Sequence, residues 1–145
     1  MKIVVSACLL GEPCRYDGKS KPCQAVLELR ERHELIPVCP EVMGGLPTPR
    51  IPSECQADGR VINRVGDDVT AEYRAGAETV LEIAKENGCR LAILKEKSPA
   101  CGKGLIYDGS FSKTLIEGNG VCADLLQKHG IAVLGESEVE DELEL

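Results

Sequence analysis

Four short apolar runs with helix-like segments between them predict an α/β protein. The expected architecture is a single-domain, three-layer α/β/α, Rossmann-like arrangement around a mainly parallel four-stranded sheet. Three observations carry this. Residues 2–5, 35–38, 91–94 and 131–134 are uniformly apolar or nearly so, as strands buried on both faces are. Segments of helical periodicity or helix-opening signals separate them. Three of the runs are also followed by cysteines: Cys8 after Val5, Cys39 after Val38, and Cys101 a few residues past Leu94. Parallel strands would bring these thiols to the carboxyl edge of one sheet, where open α/β sheets bind ligands.

Each element has its own signal. Residues 11–18, Gly-Glu-Pro-Cys-Arg-Tyr-Asp-Gly, are turn-forming and read as a loop. Pro22 suits the first turn of a helix, which carries Ala25, Val26, Leu27 and Leu29 inward and the charges of Arg30, Glu31 and Arg32 outward. Residues 40–52 hold four prolines and two glycines and are expected to lack regular structure. Asp58-Gly59 marks a turn before a short edge strand at 60–63. The clearest helix spans 70–87: Thr70 or a neighbouring Asp caps it, Tyr73, Ala77, Val80, Leu81 and Ala84 share a face, and Gly88 stops it. Residues 98–104 form a second structured loop, a segment at 106–116 comes next, and a last helix runs from 121 to 128, closed by Gly130.

Composition narrows the class. A chain of 145 residues builds a hydrophobic core without staples, and 43% apolar with 28% charged residues is ordinary for a globular domain. There is no Trp, one Phe and three Tyr, which disfavours base-stacking nucleic-acid binders. The net charge of −7 comes mainly from six acids between Glu136 and Glu144; without them the balance is 17 bases to 18 acids. No large basic excess remains for a polyanion. The division expected is one domain over 1–135 and an acidic, solvated C-terminal tail over 136–145.

Eight cysteines would mean disulfides in a secreted protein. Val5-Ser6-Ala7-Cys8 even resembles a lipid-attachment box. The apolar stretch before it falls short of the about 7–15 residues of a signal core, and no run is long enough for a membrane span. The expectation is a cytoplasmic chain with reduced or metal-bound thiols. Successive cysteines are separated by 6, 9, 16, 16, 34, 12 and 21 positions. No C-x-x-C occurs, so zinc ribbons, thioredoxin-type motifs and local ferredoxin clusters are excluded. Cys89, before an apolar strand, and Cys122, at a helix start, read as small buried hydrophobes. Cys14, Cys23 and Cys55 stay open between surface thiols and a further ligand.

Several blocks resemble one family. Ser6-Ala7-Cys8-Leu9-Leu10-Gly11 with Arg15-Tyr16-Asp17-Gly18, Val38-Cys39-Pro40-Glu41 with Gly45-Leu46-Pro47-Thr48-Pro49-Arg50, and Lys95 and Lys97 with Ser98-Pro99-Ala100-Cys101-Gly102 occur in order across nearly the whole chain. Together they are similar to the 2-thiouracil desulfurases (thiouracil desulfidases). The resemblance implies a [4Fe-4S] cluster held by three cysteines, here Cys8, Cys39 and Cys101, with one open iron. It also implies catalytic roles for Glu41 and Ser98. Ala100 departs from a serine common in the family, and members often lack a cysteine at the place of Cys14, so the resemblance argues against Cys14 as an essential ligand. The activity implied is non-redox desulfuration of a thiolated pyrimidine (thiouracil, or its nucleoside or nucleotide) to the oxo base with release of sulfide. An open iron is a Lewis acid suited to a soft thiocarbonyl sulfur.

Read without the family, Glu41 is a solvent-facing loop acid and Ser98 a turn serine before proline. Arg15, Asp17, Lys21, Arg50 and Glu54 recur in the blocks that resemble the family and are expected to be mainly structural; Arg50, between two prolines, is a candidate for holding a substrate ring, a phosphate or its own loop. Expected partners are a small thiolated pyrimidine and the iron–sulfur assembly machinery, with neither membrane nor nucleic acid. Two other readings compete: a sulfurtransferase carrying a persulfide on Cys101 or Cys39, and a noncatalytic metal- or redox-sensing module.

Overall fold

The computed structural model describes residues 1–141. Its strands, numbered along the chain, are β1 (Lys2–Ser6), β2 (Glu34–Val38), β3 (Ser53–Cys55), β4 (Val61–Asn63), β5 (Leu91–Leu94), β6 (Leu105–Tyr107), β7 (Leu115–Glu117) and β8 (Ala132–Gly135). Its helices are α1 (Gln24–Glu28), α2 (Pro40–Met43), α3 (Thr70–Glu86), α4 (Val121–Lys128) and α5 (Glu136–Asp141). The central sheet has the order β2-β1-β5-β8, and every pairing in it is parallel. Two antiparallel pairs, β3-β4 and β6-β7, stand apart from it. The four expected core strands are therefore present, within a residue of their expected bounds. Among the described residues no helix is long and apolar enough to cross a membrane.

Strand alternation sends side chains to two cores. Val4, Val38, Ala92 and Leu94 pack with Tyr73, Ala77, Val80 and Ala84 of α3 and with Cys122, Ala123 and Leu126 of α4. Ile3, Val5, Leu91 and Ile93 face the other way, against Val26, Leu29 and Val139. Helices thus cover both faces, giving the expected three layers. The chain leaves β1 toward β2 on one side, then returns to β5 on the other. That reversal opens a crevice beyond the carboxyl ends of β1 and β5, the usual ligand position in such sheets.

Two expectations are corrected, and one segment left undefined takes a form. The proline-rich stretch begins with a helix: Pro40 sits at the first turn of α2, where its missing N–H costs nothing, and extended Cys39 precedes it. The segment at 106–116 is a hairpin, β6-β7. Its tip loop includes Phe111 and Lys113 with positive φ, a conformation that apolar patterning does not signal. The acidic C-terminus is not wholly a solvated tail. Residues 136–141 form α5, and Val139 is buried at 3% exposure. Glu136 accepts from the Glu96 N–H and pairs with Lys95 at 2.9 Å, while Glu138 pairs with Lys103 at 2.9 Å. Glu136 and Glu138 are therefore tied to specific lysines. Residues 142–145 of the expected tail lie outside the described residues.

α2 and α3 meet backbone to backbone. A Cβ on Gly76 would collide with the Pro40 carbonyl, and one on Gly44 with the Glu72 carbonyl. Only glycine permits this approach, and it seats Cys39 and Glu41 against α3. Gly76→Ala should force the helices apart and cost about 1–3 kcal/mol, the usual range for overpacking. Thermal unfolding should show a Tm lower by several degrees; an unchanged Tm would mean that the helices separate without strain.

Candidate metal centre and active site

A cavity of about 290 Å³ opens at the carboxyl edge of the sheet. Cys8, Cys39 and Cys101 all line it, with Glu41, Arg50 and Ser98. The tertiary structure therefore brings to one cavity the six residues named as cluster, catalytic and substrate-binding candidates. Cys8 lies in the 3₁₀ turn Ala7–Leu10 directly after β1, and Cys39 lies between β2 and α2. Cys101 is in the loop after β5. Cys14 lines the same cavity, whereas Cys23, Cys55, Cys89 and Cys122 do not. Cys122 is fully buried in the α3–α4 core and Cys89 nearly so, as expected for small hydrophobes. The Cys55 thiol donates to the Pro99 carbonyl at 3.4 Å.

Glu41 is not a loosely solvated loop acid. Its Oε2 accepts from Arg50 Nε at 3.2 Å, Arg50 Nη2 at 3.0 Å and Tyr73 Oη at 3.2 Å. No described residue donates a hydrogen bond to Oε1. Side-chain exposure is 12% for Glu41 and 6% for Arg50, so the pair is shielded from solvent. Arg50 also donates to the Pro47 carbonyl, Thr48 Oγ1 and the Cys14 carbonyl, at 3.3, 3.2 and 3.0 Å. Burial works against its charge, but the Glu41 carboxylate leaves its pKa above the ordinary value. Tyr73 is raised as well, by burial and then by Glu41, and stays a neutral donor.

Ser98 Oγ accepts from the N–H groups of Ala100 and Cys101, both at 3.1 Å. The Ser98 carbonyl accepts from Gly102 N–H at 2.8 Å. Beyond this turn, the first N–H groups of α4 have no partner within their own helix and find carbonyls of the same loop. Val121 bonds Pro99 and Cys122 bonds Ala100, at 2.9 and 2.8 Å. Gly120 fits because a Cβ there would meet the Ala100 carbonyl. The Cys101 loop is consequently fixed by backbone hydrogen bonds, and Ser98 keeps its own O–H hydrogen for the cavity.

Two functional contacts, those of Ser6 and Tyr73, escaped sequence reasoning, and a third residue, Glu54, was expected to be structural without a partner being legible. Ser6, 2% exposed, donates to Cys101 Sγ at 3.4 Å and accepts from Lys95 N–H at 2.9 Å. A serine ending a buried strand was the available signal. Tyr73 reads as core by periodicity, although a buried phenol needs a partner. Glu54, 9% exposed, accepts at Oε1 from the N–H groups of Gly109 and Phe111, at 2.9 and 3.1 Å, and ties the β6-β7 hairpin to the cavity. Arg15, Arg64, Lys97 and Lys113 also line the cavity and form no ion pair among the described residues.

The donor set fits a cluster better than a single ion. Among the described residues no three Cys, His, Asp or Glu side chains converge on one ion position. A four-iron cluster takes one thiolate per iron, so its ligands stand around a space rather than at a point. Burial raises the Cys101 thiol far above its ordinary pKa, and Cys39 is raised by its hydrogen bond with Cys14 and by burial. Ligation needs thiolates, so loading this site releases protons.

The fold and cavity define a class: a three-layer α/β protein with cysteine loops around a crevice at the sheet edge. Residues 3–138 match the 2-thiouracil desulfurase family, and the chain belongs to that family. YbbK of Bacillus subtilis (strain 168), an uncharacterized protein, is 39% identical over 148 residues, which cover 96% of this chain and 98% of that protein. A solved structure of the [4Fe-4S]-dependent thiouracil desulfidase TudS (DUF523Vcz) is 46% identical, with a TM-score of 0.91 over 97% of this chain and 93% of that one.

Two substitutions test the scaffold. Arg50→Lys loses the planar fork that serves Glu41 and Cys14 together; chemical denaturation should show a loss of about 1–3 kcal/mol. Ser6→Ala leaves the Lys95 N–H without its acceptor, at a cost of the same order. If Ser6→Ala unfolded at the wild-type denaturant concentration, the Ser6 contacts would be incidental.

Proposed function

We propose that this chain is a [4Fe-4S]-dependent thiouracil desulfidase, which replaces the sulfur of a thiolated pyrimidine by oxygen from water and releases sulfide without net electron transfer. The observation that carries this reading is three thiols of separate loops around one cavity, in a chain 46% identical to TudS over nearly its full length. Cys8, Cys39 and Cys101 would hold the cluster. When bound through three cysteines, it supplies a soft Lewis acid for the thiocarbonyl sulfur.

The remaining chemistry belongs to the chain's own residues. Glu41 is the base: Arg50 and Tyr73 fix Oε2, which leaves Oε1 to take a proton from the attacking water and return it to the departing sulfur. Arg50 acts on the substrate through Glu41, as its positioning residue. Ser98, its oxygen already occupied by two N–H groups, donates its own hydrogen to the pyrimidine. Arg15, Arg64, Lys97 and Lys113 supply positive charge around the ring site, which favours a substrate with a phosphate over the bare base. A persulfide carrier on Cys101 fits less well, because that thiol is 4% exposed and strongly raised by burial.

Anaerobic reconstitution followed by a sulfide-release assay tests the proposal. Cluster-loaded protein should release sulfide from thiouracil and show a lower KM for the thiolated nucleoside monophosphate. Iron-free activity would support the persulfide route, and a cluster without sulfide release would leave a sensing module. Replacing Cys8, Cys39 or Cys101 by Ala should abolish cluster retention, read from the iron–sulfur absorbance, while Cys89→Ala should retain it. Glu41→Gln keeps the hydrogen bonds at Oε2 but cannot take up a proton at neutral pH. Its turnover per intact cluster should fall by about 10²–10⁴-fold, the usual size of an acid–base contribution. Near wild-type turnover would exclude Glu41 as the base.

A further inference from the structure

The cavity holds a fourth thiol. Cys14 lines it beside Cys8, Cys39 and Cys101, and its side chain is in hydrogen-bonding contact with both Cys8 and Cys39. Its backbone is held there: the Cys14 carbonyl accepts from Arg50 Nη2 at 3.0 Å and from Cys39 Sγ at 3.8 Å, and its N–H donates to the Glu12 carbonyl at 2.9 Å. The settings of the four thiols differ. Cys8 is buried in a 3₁₀ turn, Cys39 opens α2, and Cys101 is buried in the turn that Ser98 pins. Cys14 lies in an irregular loop and is half-buried. Its main chain is anchored, and its half-buried side chain lines the cavity.

We propose that Cys14 is a displaceable fourth ligand, whose thiolate closes the open iron when no substrate is present and gives way to the thiocarbonyl sulfur. This rests on the cluster reading above. Four irons have four positions for thiolates, and full thiolate ligation is the ordinary state of such a cluster. A thiol in contact with two of the three ligands is placed to complete it.

The exchange balances without electron transfer. On closing, the Cys14 S–H loses its proton to solvent and an iron–sulfur bond forms. On substrate entry that bond breaks as the thiocarbonyl sulfur binds, and the freed thiolate takes a proton back. The consequence is a site closed to adventitious ligands and oxygen at rest, and open during turnover.

The test compares wild type, Cys14→Ala and Cys14→Ser after anaerobic reconstitution with Mössbauer-active iron. All three should retain about four irons per chain. In substrate-free wild type the irons should share sulfur-only ligation, and added thiouracil should change one of them. In Cys14→Ala one iron should differ from the outset, and in air its cluster should decay several-fold faster than that of wild type. Cys14→Ser, which offers oxygen in place of sulfur, should also show one distinct iron. Identical spectra and lifetimes for wild type and Cys14→Ala would overturn the proposal. So would loss of the cluster in Cys14→Ala, which would make Cys14 an obligatory ligand. Wild type that takes up no four-iron cluster would overturn the cluster reading itself, and this inference with it.

Discussion

The cavity is organised around the shielded ion pair of Glu41 and Arg50. Removing both charges from water is costly, and such a pair persists only when its geometry is good and its remaining donors find partners. Arg50 meets that condition. Its guanidinium joins the α2 carboxylate, the carbonyl and hydroxyl of the 47–48 turn, and the carbonyl of Cys14. Two cysteine loops that share no secondary structure are thereby locked to each other. A lysine, with one charged nitrogen in place of a fork, would not span the same set.

The ion pair works because α2 lies in one place. Gly44 and Gly76 let the two helix backbones touch, and that approach puts the Tyr73 hydroxyl on the same carboxylate oxygen. The constraint is steric rather than electrostatic. It turns a four-residue helix, far too short to be stable alone, into a rigid platform for Cys39 and Glu41.

On the other side of the crevice the logic changes. Cys101 is held by backbone hydrogen bonds: Ser98 closes the turn, and α4 spends its free N–H groups on the loop's carbonyls. Ser6 reaches across from β1 to the Cys101 sulfur and to the N–H of Lys95, so adjacent strands fix each other's loops. Lys95 in turn is paired with Glu136 of α5. A thiol on such supports is held in place before anything binds, as a preorganised site requires.

The sequence by itself determined the layers. Short apolar runs between turn and helix signals mark the strands of a covered sheet, although two of the four, β2 and β8, lie at its edges and are only partly buried. The period of α3 marks its core face. The order of the strands was not written in any run, since β1 accepts β2 and β5 as neighbours through backbone bonds that carry no residue code. The thiols of Cys8, Cys39 and Cys101 could be assigned to one edge because parallel strands all deliver their next loops to the same end of the sheet. The roles of Arg50, Tyr73, Ser6 and Glu54 could not be assigned, because each depends on a partner many positions away. The acids of residues 136–138 show the same limit: composition counts charges, but only tertiary packing decides that Glu136 and Glu138 pair with Lys95 and Lys103. Cys14 too is one thiol among eight by composition, and the folded loop, pinned by Arg50, is what brings it to the cavity.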